Sequence, residues 1–207
     1  MPNSGAYEKL SNNGQPSLEV TDGYIRYGNQ AVTPNISDEG LMQAFIRFRA
    51  EGLLPWFFPE RTDVGIYEFL TTFRNPTSNT LGAFHQDEEE GSRWILDGIL
   101  WTKQIVLIGG GHSVADVGQA FYRGQSDLDF YVRYAHLGIE WCLQKLHVST
   151  VTGNTPDKNR AAVLFARKCG FEVVGPVGGT ACWEGELCGT YLSAMTKSRW
   201  EFIRPWR

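Results

Sequence analysis

Residues able to bind a metal or a phosphate are scattered along this sequence. The four cysteines stand at positions 142, 169, 182 and 188 and form no C-x-x-C pair, so we expect no zinc or other metal site. Cys142 and Cys169 fall in helical patterns, which favours a place in the core over a role as nucleophiles. The run Gly109–His112 (GGGH) looks like a phosphate loop, but it lies between two predicted strands instead of before a helix. It therefore indicates a hairpin turn.

The stretch from Asn154 to Pro176, NTPDKNRAAVLFARKCGFEVVGP, predicts a turn, a helix, a glycine stop and a strand. Asn159 can cap the helix or face a ligand, and capping alone accounts for an asparagine at this position. The small side chains of Ala161 and Ala162 allow the helix to lie close to a sheet. Gly170 permits the positive φ that ends a helix before a strand.

Helical and strand patterns alternate along the chain, and these elements would position the residues named above. Apolar residues at spacings of three and four predict helices, and alternating or β-branched runs predict strands. The mixed order predicts an α+β (α/β mixed) fold with a central mixed sheet and helices on its faces. The predicted helices cover 37–52, 63–73, 126–146 and 159–169. The predicted strands cover 24–28, 80–86, 93–110, 113–124, 147–154, 171–177, 180–186 and 188–197.

Length and composition limit the class of protein. The 207 residues suit one domain over 21–207, preceded by a polar extension over 1–20 that we expect to be flexible. The net charge of −4 without a basic tail argues against nucleic acid as a partner. No run approaches the length of a membrane span, and the polar start lacks a secretory signal, so we expect a cytoplasmic protein that does not bind membranes.

The second half of the chain resembles the GNAT superfamily of acetyl-CoA-dependent N-acetyltransferases. The family pattern N-x-x-A-x-x-x-Y-x-x-x-G-[FY] is matched by Asn159, Ala162, Gly170 and Phe171. The resemblance covers about residues 80–197, and the first half agrees in the order of its elements. It implies a GNAT-like sheet with helices on both faces, acetyl-CoA as a substrate, and Asn159 at the cofactor.

The family holds the pyrophosphate of coenzyme A in a loop that reads [QR]-x-x-G-x-[GA], and the aligned run here is FYRGQS. Phe121 stands where the family has Gln or Arg. Asp127 and Asp129 follow in the first turn of the helix, where they suit the helix dipole but would repel a pyrophosphate. The resemblance implies that four residues of the run bind the cofactor: Arg123, Gly124, Gln125 and Ser126.

The resemblance also implies a place for the acetyl group, along the predicted strand 113–124. Backbone groups of that strand would pair with the pantetheine arm, at Val117, Gly118 and Gln119. Asp116 is the nearest carboxylate and the candidate general base, although an outward, solvated strand residue is the other reading. His112 and His147, at predicted strand starts, are alternative bases.

Two functions follow from these residues. The first is acetyl-CoA-dependent N-acetylation of an amine acceptor. The second is a catalytically inactive GNAT-like structural protein, such as a bacteriophage virion component, because Ala166 stands where the family often has a proton-donating Tyr. For the second we expect a protein assembly or homo-oligomer formed through an aromatic C-terminal tail, with the alternative that the tail packs on its own sheet. Its aromatic residues are Trp200, Phe202 and Trp206.

Overall fold

A computed structural model describes residues 16–58, 61, 63–75, 79–87, 93–122, 127–183 and 185–206. Within these ranges nine strands form one sheet. The strands are β1 (Leu18–Val20), β2 (Ile25–Tyr27), β3 (Gln30–Thr33), β4 (Thr80–Gln86), β5 (Trp94–Gly109), β6 (His112–Phe121), β7 (Thr150–Pro156), β8 (Glu172–Trp183) and β9 (Glu186–Thr196). The helices are α1 (Asp38–Ala50), α2 (Leu54–Phe57), α3 (Ile66–Arg74), α4 (Leu128–Gln144), α5 (Arg160–Lys168) and α6 (Lys197–Ile203).

The sheet is mixed, as the sequence predicts. Its strand order is β1-β2-β3-β4-β5-β6-β7-β9-β8. Neighbouring strands are antiparallel except β6 and β7, which run parallel. The α4 crossover joins these two strands, because parallel neighbours need a connection long enough to return the chain to the same end of the sheet.

Helices cover both faces of the sheet, which confirms the predicted fold class. Ile99 and Leu100 are adjacent in β5, and their side chains point to opposite faces. Ile99 packs in the aromatic-rich core formed with α1, α2 and α3. Leu100 packs under α4, with Tyr134 and Leu137. The core beneath α4 continues toward α6 through Ile139 and Trp200.

Side chains directly before their first residues cap helices α1 and α4. Ser37 accepts the N–H of Gly40 at α1, and Asp127 accepts that of Asp129 at α4. Gly170 has a φ of +88° after α5, where a side chain would be strained. The segment after α1 differs from expectation, because Pro55 lies in the first turn of the short helix α2. Proline lacks an N–H but is tolerated there, since first-turn N–H groups have no intrahelical partner.

The edge strands and the C-terminus differ most from the sequence prediction. Strands β1 and β3 and helix α6 were not predicted. The expected strands 171–177 and 180–186 form one strand, β8, which stays paired with β9 across register shifts at Val177. Part of the predicted N-terminal extension, Leu18–Val20, pairs with β2. Residues 1–15 lie outside the described residues, so their flexibility remains a prediction.

Candidate active site

Strands β6 and β7 form a fork. They pair from Val114 and Thr150 to Asp116 and Thr152. Beyond that point β6 stays paired with β5 as far as Phe121, and β7 stays paired with β9 as far as Pro156. Since no register pair joins β6 to β7 over these described segments, their facing edges are free to pair with something else.

The three residues predicted to hold the pantetheine arm lie on one edge of this fork. They also line a cavity of about 40 Å³ beneath α4, together with Gly138 and Cys142. Gly138 lets the helix approach the sheet, since a Cβ there would lie 2.6 Å from Leu100. The segment that the structure brings to this cavity is Val117, Gly118 and Gln119.

Two helices begin at the open end of the fork. Helix α4 follows β6 and helix α5 follows β7, so both N-termini lie beyond the carboxyl ends of the parallel strands. Helix N-termini carry partial positive charge and unpaired N–H groups, which suit an anion. The predicted pyrophosphate loop joins β6 to α4, but Arg123, Gly124, Gln125 and Ser126 lie outside the described residues.

Asp116 lies where the fork begins. Its neighbours Ala115 and Val117 pack on the α4 side, so the alternation of the strand directs Asp116 to the opposite face. Asn154 Nδ2 donates a hydrogen bond of 3.2 Å to Asp116 Oδ1. Lys103 Nζ lies 3.9 Å from Oδ2, and the Asp116 side chain is 24% exposed. The carboxylate is therefore positioned by partners and accessible to an acceptor.

Neither alternative base lies at the open end of the fork. His112 is the first residue of β6, and His147 precedes β7, so both belong to the closed end. His112 Nδ1 lies 3.2 Å from Ser149 Oγ at the exposed surface. The predicted hairpin over Gly109–His112 is confirmed, with positive φ at its three glycines.

Asn159 caps α5, as the sequence allows. Its Oδ1 accepts the N–H of Ala162 at 3.1 Å, and the residue is buried. The amide oxygen is therefore occupied by the helix. Ala166, in the same helix, is half-buried and has no proton to donate.

Phe121 joins the two helices at the end of β6. Its ring stacks on Tyr134 of α4 at a centroid distance of 5.7 Å and lies 6.3 Å from the ring of Phe165 in α5. The family's usual Gln or Arg at this position is thus replaced by an aromatic contact. The acids that follow are partly neutralised, because Asp129 forms an ion pair of 2.8 Å with Lys168, which lowers the pKa of Asp129.

A buried polar network beside the fork was not predicted. Asp97 Oδ2 accepts a hydrogen bond from the Tyr134 hydroxyl and lies 2.7 Å from His85 Nδ1. Burial raises the pKa of Asp97, although both partners act to lower it. The Asp97 carbonyl accepts the N–H of Tyr122, directly before the predicted loop. An acid inside the apolar run WILDGILW was the available signal for this network.

The cysteines and the aromatic tail are largely internal. Cys142 and Cys169 are buried, as the sequence predicts, and burial raises the pKa of each thiol to about 12. Trp200 is 1% exposed, and its indole N–H donates to the buried carboxylate of Glu140. Trp206 packs on Trp200. Phe202 alone of the three predicted anchors is exposed, so the tail offers a partner less than the sequence suggested.

In the part of the chain that the structure describes, no helix has both the length and the apolar character to cross a membrane. The described His, Cys, Asp and Glu side chains form no group of three or more that could hold a metal ion.

Solved structures that resemble this fold include bacterial acetyltransferases. A probable GNAT-family acetyltransferase from Chromobacterium violaceum is 16% identical, with a TM-score of 0.68 over 97% of this chain and 100% of that one. A GNAT-family acetyltransferase from Bacillus anthracis is 12% identical, with a TM-score of 0.65 over 84% and 99%. A spermidine N-acetyltransferase from Vibrio cholerae, solved with CoA and spermine, is 11% identical, with a TM-score of 0.63 over 84% and 98%.

The sequence itself matches no protein-family model and no curated protein. The similarity is therefore one of three-dimensional structure.

Proposed function

We propose that this chain, which has the fold of the GNAT acetyltransferases, transfers the acetyl group of acetyl-CoA to an amine acceptor. The observation that carries the proposal is the fork between β6 and β7. A parallel pair that separates after Asp116 and Thr152 offers two unpaired backbone edges. Such edges suit the amide groups of a pantetheine arm, and the N-termini of α4 and α5 lie where the pyrophosphate would follow.

In this reaction Asp116 acts as the general base. Its carboxylate accepts a proton from the acceptor amine, and the amine nitrogen attacks the thioester carbonyl. The carbon–sulfur bond then breaks, and the coenzyme A thiolate leaves. Because Ala166 has no proton to give, the thiolate takes its proton from water. The Asn154 amide holds one carboxylate oxygen and leaves the other toward Lys103 and the open face.

The residues of the fork fit acetyl-CoA. Backbone groups of Val117–Gln119 would hold the pantetheine arm, and Arg123 and Gly124 would contact the pyrophosphate. The ion pair of Asp129 with Lys168 reduces the repulsion that an acidic first turn would otherwise exert. Asn159 would contribute as the cap that fixes the start of α5.

The experiment is a calorimetric titration of acetyl-CoA into the purified chain, with Gly124→Glu as the test variant. Gly178→Glu is the matched control, because Gly178 lies in β8 with open space around it. We expect binding to be lost in the first variant and kept in the second. A bound ligand at a hundred times its Kd would add about 2.7 kcal/mol to the free energy of unfolding. Acceptor amines, spermidine among them, are then screened by coenzyme A release.

The interaction protein remains the second candidate, and Ala166 together with the Phe121–Phe165 contact favours it. Absence of acetyl-CoA binding at millimolar concentration would exclude the enzyme and leave this candidate. The assembly would then be sought at Phe202, which is 76% exposed. A bacteriophage origin is part of this second proposal.

A further inference from the structure

A cleft of about 560 Å³ lies along α5, on the side that faces away from α4. Phe165 and Cys169 pack toward α4 with Val132 and Ala135. On a helix of 3.6 residues per turn, four residues lie on the side opposite Phe165. They line the cleft and are Arg160, Val163, Leu164 and Arg167.

The far wall of the cleft comes from the sheet. Tyr191 of β9 and Pro176 of β8 face α5 across it. The face of α5 that carries Phe165 and Cys169 packs toward α4, and the cleft lies on the opposite face. The cleft and the acetyl-CoA site proposed above therefore meet only at the N-terminus of α5. The cleft is therefore a second concave site.

Positive charge dominates the cleft. Its cations are Lys158, Arg160 and Arg167. None of the three forms an ion pair with any carboxylate in the described part of the chain. Asp157 also lines the cleft, but its Oδ2 accepts the N–H of Gly189 at 3.2 Å, which fixes that carboxylate to β9. Three cations against one carboxylate leave an excess of positive charge.

The position of two of these cations is unfavourable without a ligand. Lys158 and Arg160 flank the N-terminus of α5, whose first turn contains no acidic residue. The helix dipole is positive at that end and disfavours cations there. An anion in the cleft would offset both the dipole and the mutual repulsion of the side chains.

The rest of the lining is apolar or aromatic. Leu164 is 62% exposed although it is a large apolar side chain, and it lies near Val163, Pro176 and Tyr191 in the same lining. A volume of several hundred cubic ångströms is typical of small-molecule sites. Arginine suits phosphate because its planar guanidinium donates two parallel hydrogen bonds.

We propose that this cleft binds a small phosphomonoester with an aromatic or apolar body. Arg160, Arg167 and Lys158 hold the phosphate, and the body lies between Leu164 and Tyr191. Lys158 and Arg160 flank the N-terminus of α5, which also borders the open end of the fork, whereas Arg167 lies at the other end of the helix. Competition with coenzyme A therefore tests whether the cleft is separate from the acetyl-CoA site.

The test uses phenyl phosphate as the probe, at about pH 7.5, where a phosphomonoester is dianionic. Calorimetry on the full chain should show saturable binding, and phenol should show none. Arg160→Ala and Arg167→Gln should each weaken binding about tenfold or more. Lys197→Ala removes an exposed cation of α6 and serves as the control, which should bind as the unmodified chain does.

Three results would overturn the proposal. The first is no saturation up to about 20 mM phenyl phosphate, because weaker binding would not distinguish a specific site from general attraction. The second is an equal loss in Lys197→Ala, which would indicate general attraction of anions. The third is displacement of phenyl phosphate by coenzyme A, which would make the cleft part of the acetyl-CoA site. Circular dichroism of each variant shows whether it folds. Arg167→Gln, which removes the charge but keeps a polar side chain, carries the test should Arg160→Ala fail to fold.

Discussion

Asn154 and Asp116 connect the two strands of the fork on the face opposite α4. The amide of Asn154 donates to the Asp116 carboxylate at 3.2 Å, while the last backbone pair is Asp116 with Thr152. A side-chain hydrogen bond thus joins the two strands just beyond their last backbone pair. It positions the candidate base where the fork begins.

Asp116→Asn should lower kcat for acetyl transfer about a hundredfold or more, because an amide cannot accept the proton of the amine. The affinity for acetyl-CoA should not change, since the backbone of β6 is untouched. Steady-state rates with an acceptor from the screen, beside calorimetry, separate the two effects.

Asp22→Asn is the control for that substitution, because Asp22 is a fully exposed acid paired with Lys145. Equal rates in Asp116→Asn and Asp22→Asn would remove Asp116 from the mechanism.

Gly118→Ala should destabilise the protein by about 1–3 kcal/mol, the usual cost of overpacking. A Cβ at Gly118 would lie 2.4 Å from Trp101 Cζ2, so the indole ring would have to move away from Gly118. Urea unfolding measures the change. Gly178→Ala, with open space around it, should have a far smaller effect, and similar losses in both would contradict the contact.

The helices with strong periodicity were predictable, and the reason is local. Ser37 and Asp127 cap helices through their own neighbours along the chain, so the signal lies within four residues. β1 and β3 are three and four residues long, and the neighbouring Asn, Gly and Pro residues indicate turns. Strand β8 was divided because glycines 175, 178 and 179 indicate turns, whereas pairing with β9 keeps the segment extended.

The candidate site was predictable in part. Asp116 and Val117–Gln119 follow from the family alignment along one strand. The contacts of Asp97 with His85 and Tyr134 join residues 12 and 37 positions apart, and no local pattern encodes such pairs. The cation-lined cleft likewise brings α5 together with β8 and β9.

Acid should destabilise the protein through His136. Burial lowers the pKa of this histidine, whose ring lies 3.2 Å from the Cys169 carbonyl oxygen. The unfolded chain then binds a proton more readily than the folded one. The free energy of unfolding is highest above the unfolded pKa of about 6.5 and falls as pH drops below it.

Urea unfolding at about pH 7.5 and 5.5 should therefore show a smaller pH difference for His136→Gln than for the unmodified chain. His112→Gln, at an exposed histidine, should leave that difference unchanged. If His136→Gln keeps the whole difference, other groups cause the acid sensitivity.

Trp200→Phe should lower the free energy of unfolding by about 1–3 kcal/mol, because it removes the indole N–H that donates to the buried Glu140 carboxylate. Phe202→Ser should leave the free energy of unfolding nearly unchanged, since that side chain is exposed. Sedimentation velocity on the second variant tests assembly: a smaller species than the unmodified chain would place the tail in an interface, and an identical one would exclude Phe202 as an anchor.

The packing of Trp206 on Tyr27, with ring centroids 5.4 Å apart, has a kinetic consequence. It closes a loop that spans nearly the whole described chain, and β1 to β3 reach α4 only after the long segment between them is ordered. Contacts so distant in sequence raise the contact order, and the loop-closure entropy must be overcome before they form. We therefore expect slow folding, in which docking of the C-terminal residues on β2 is among the last events.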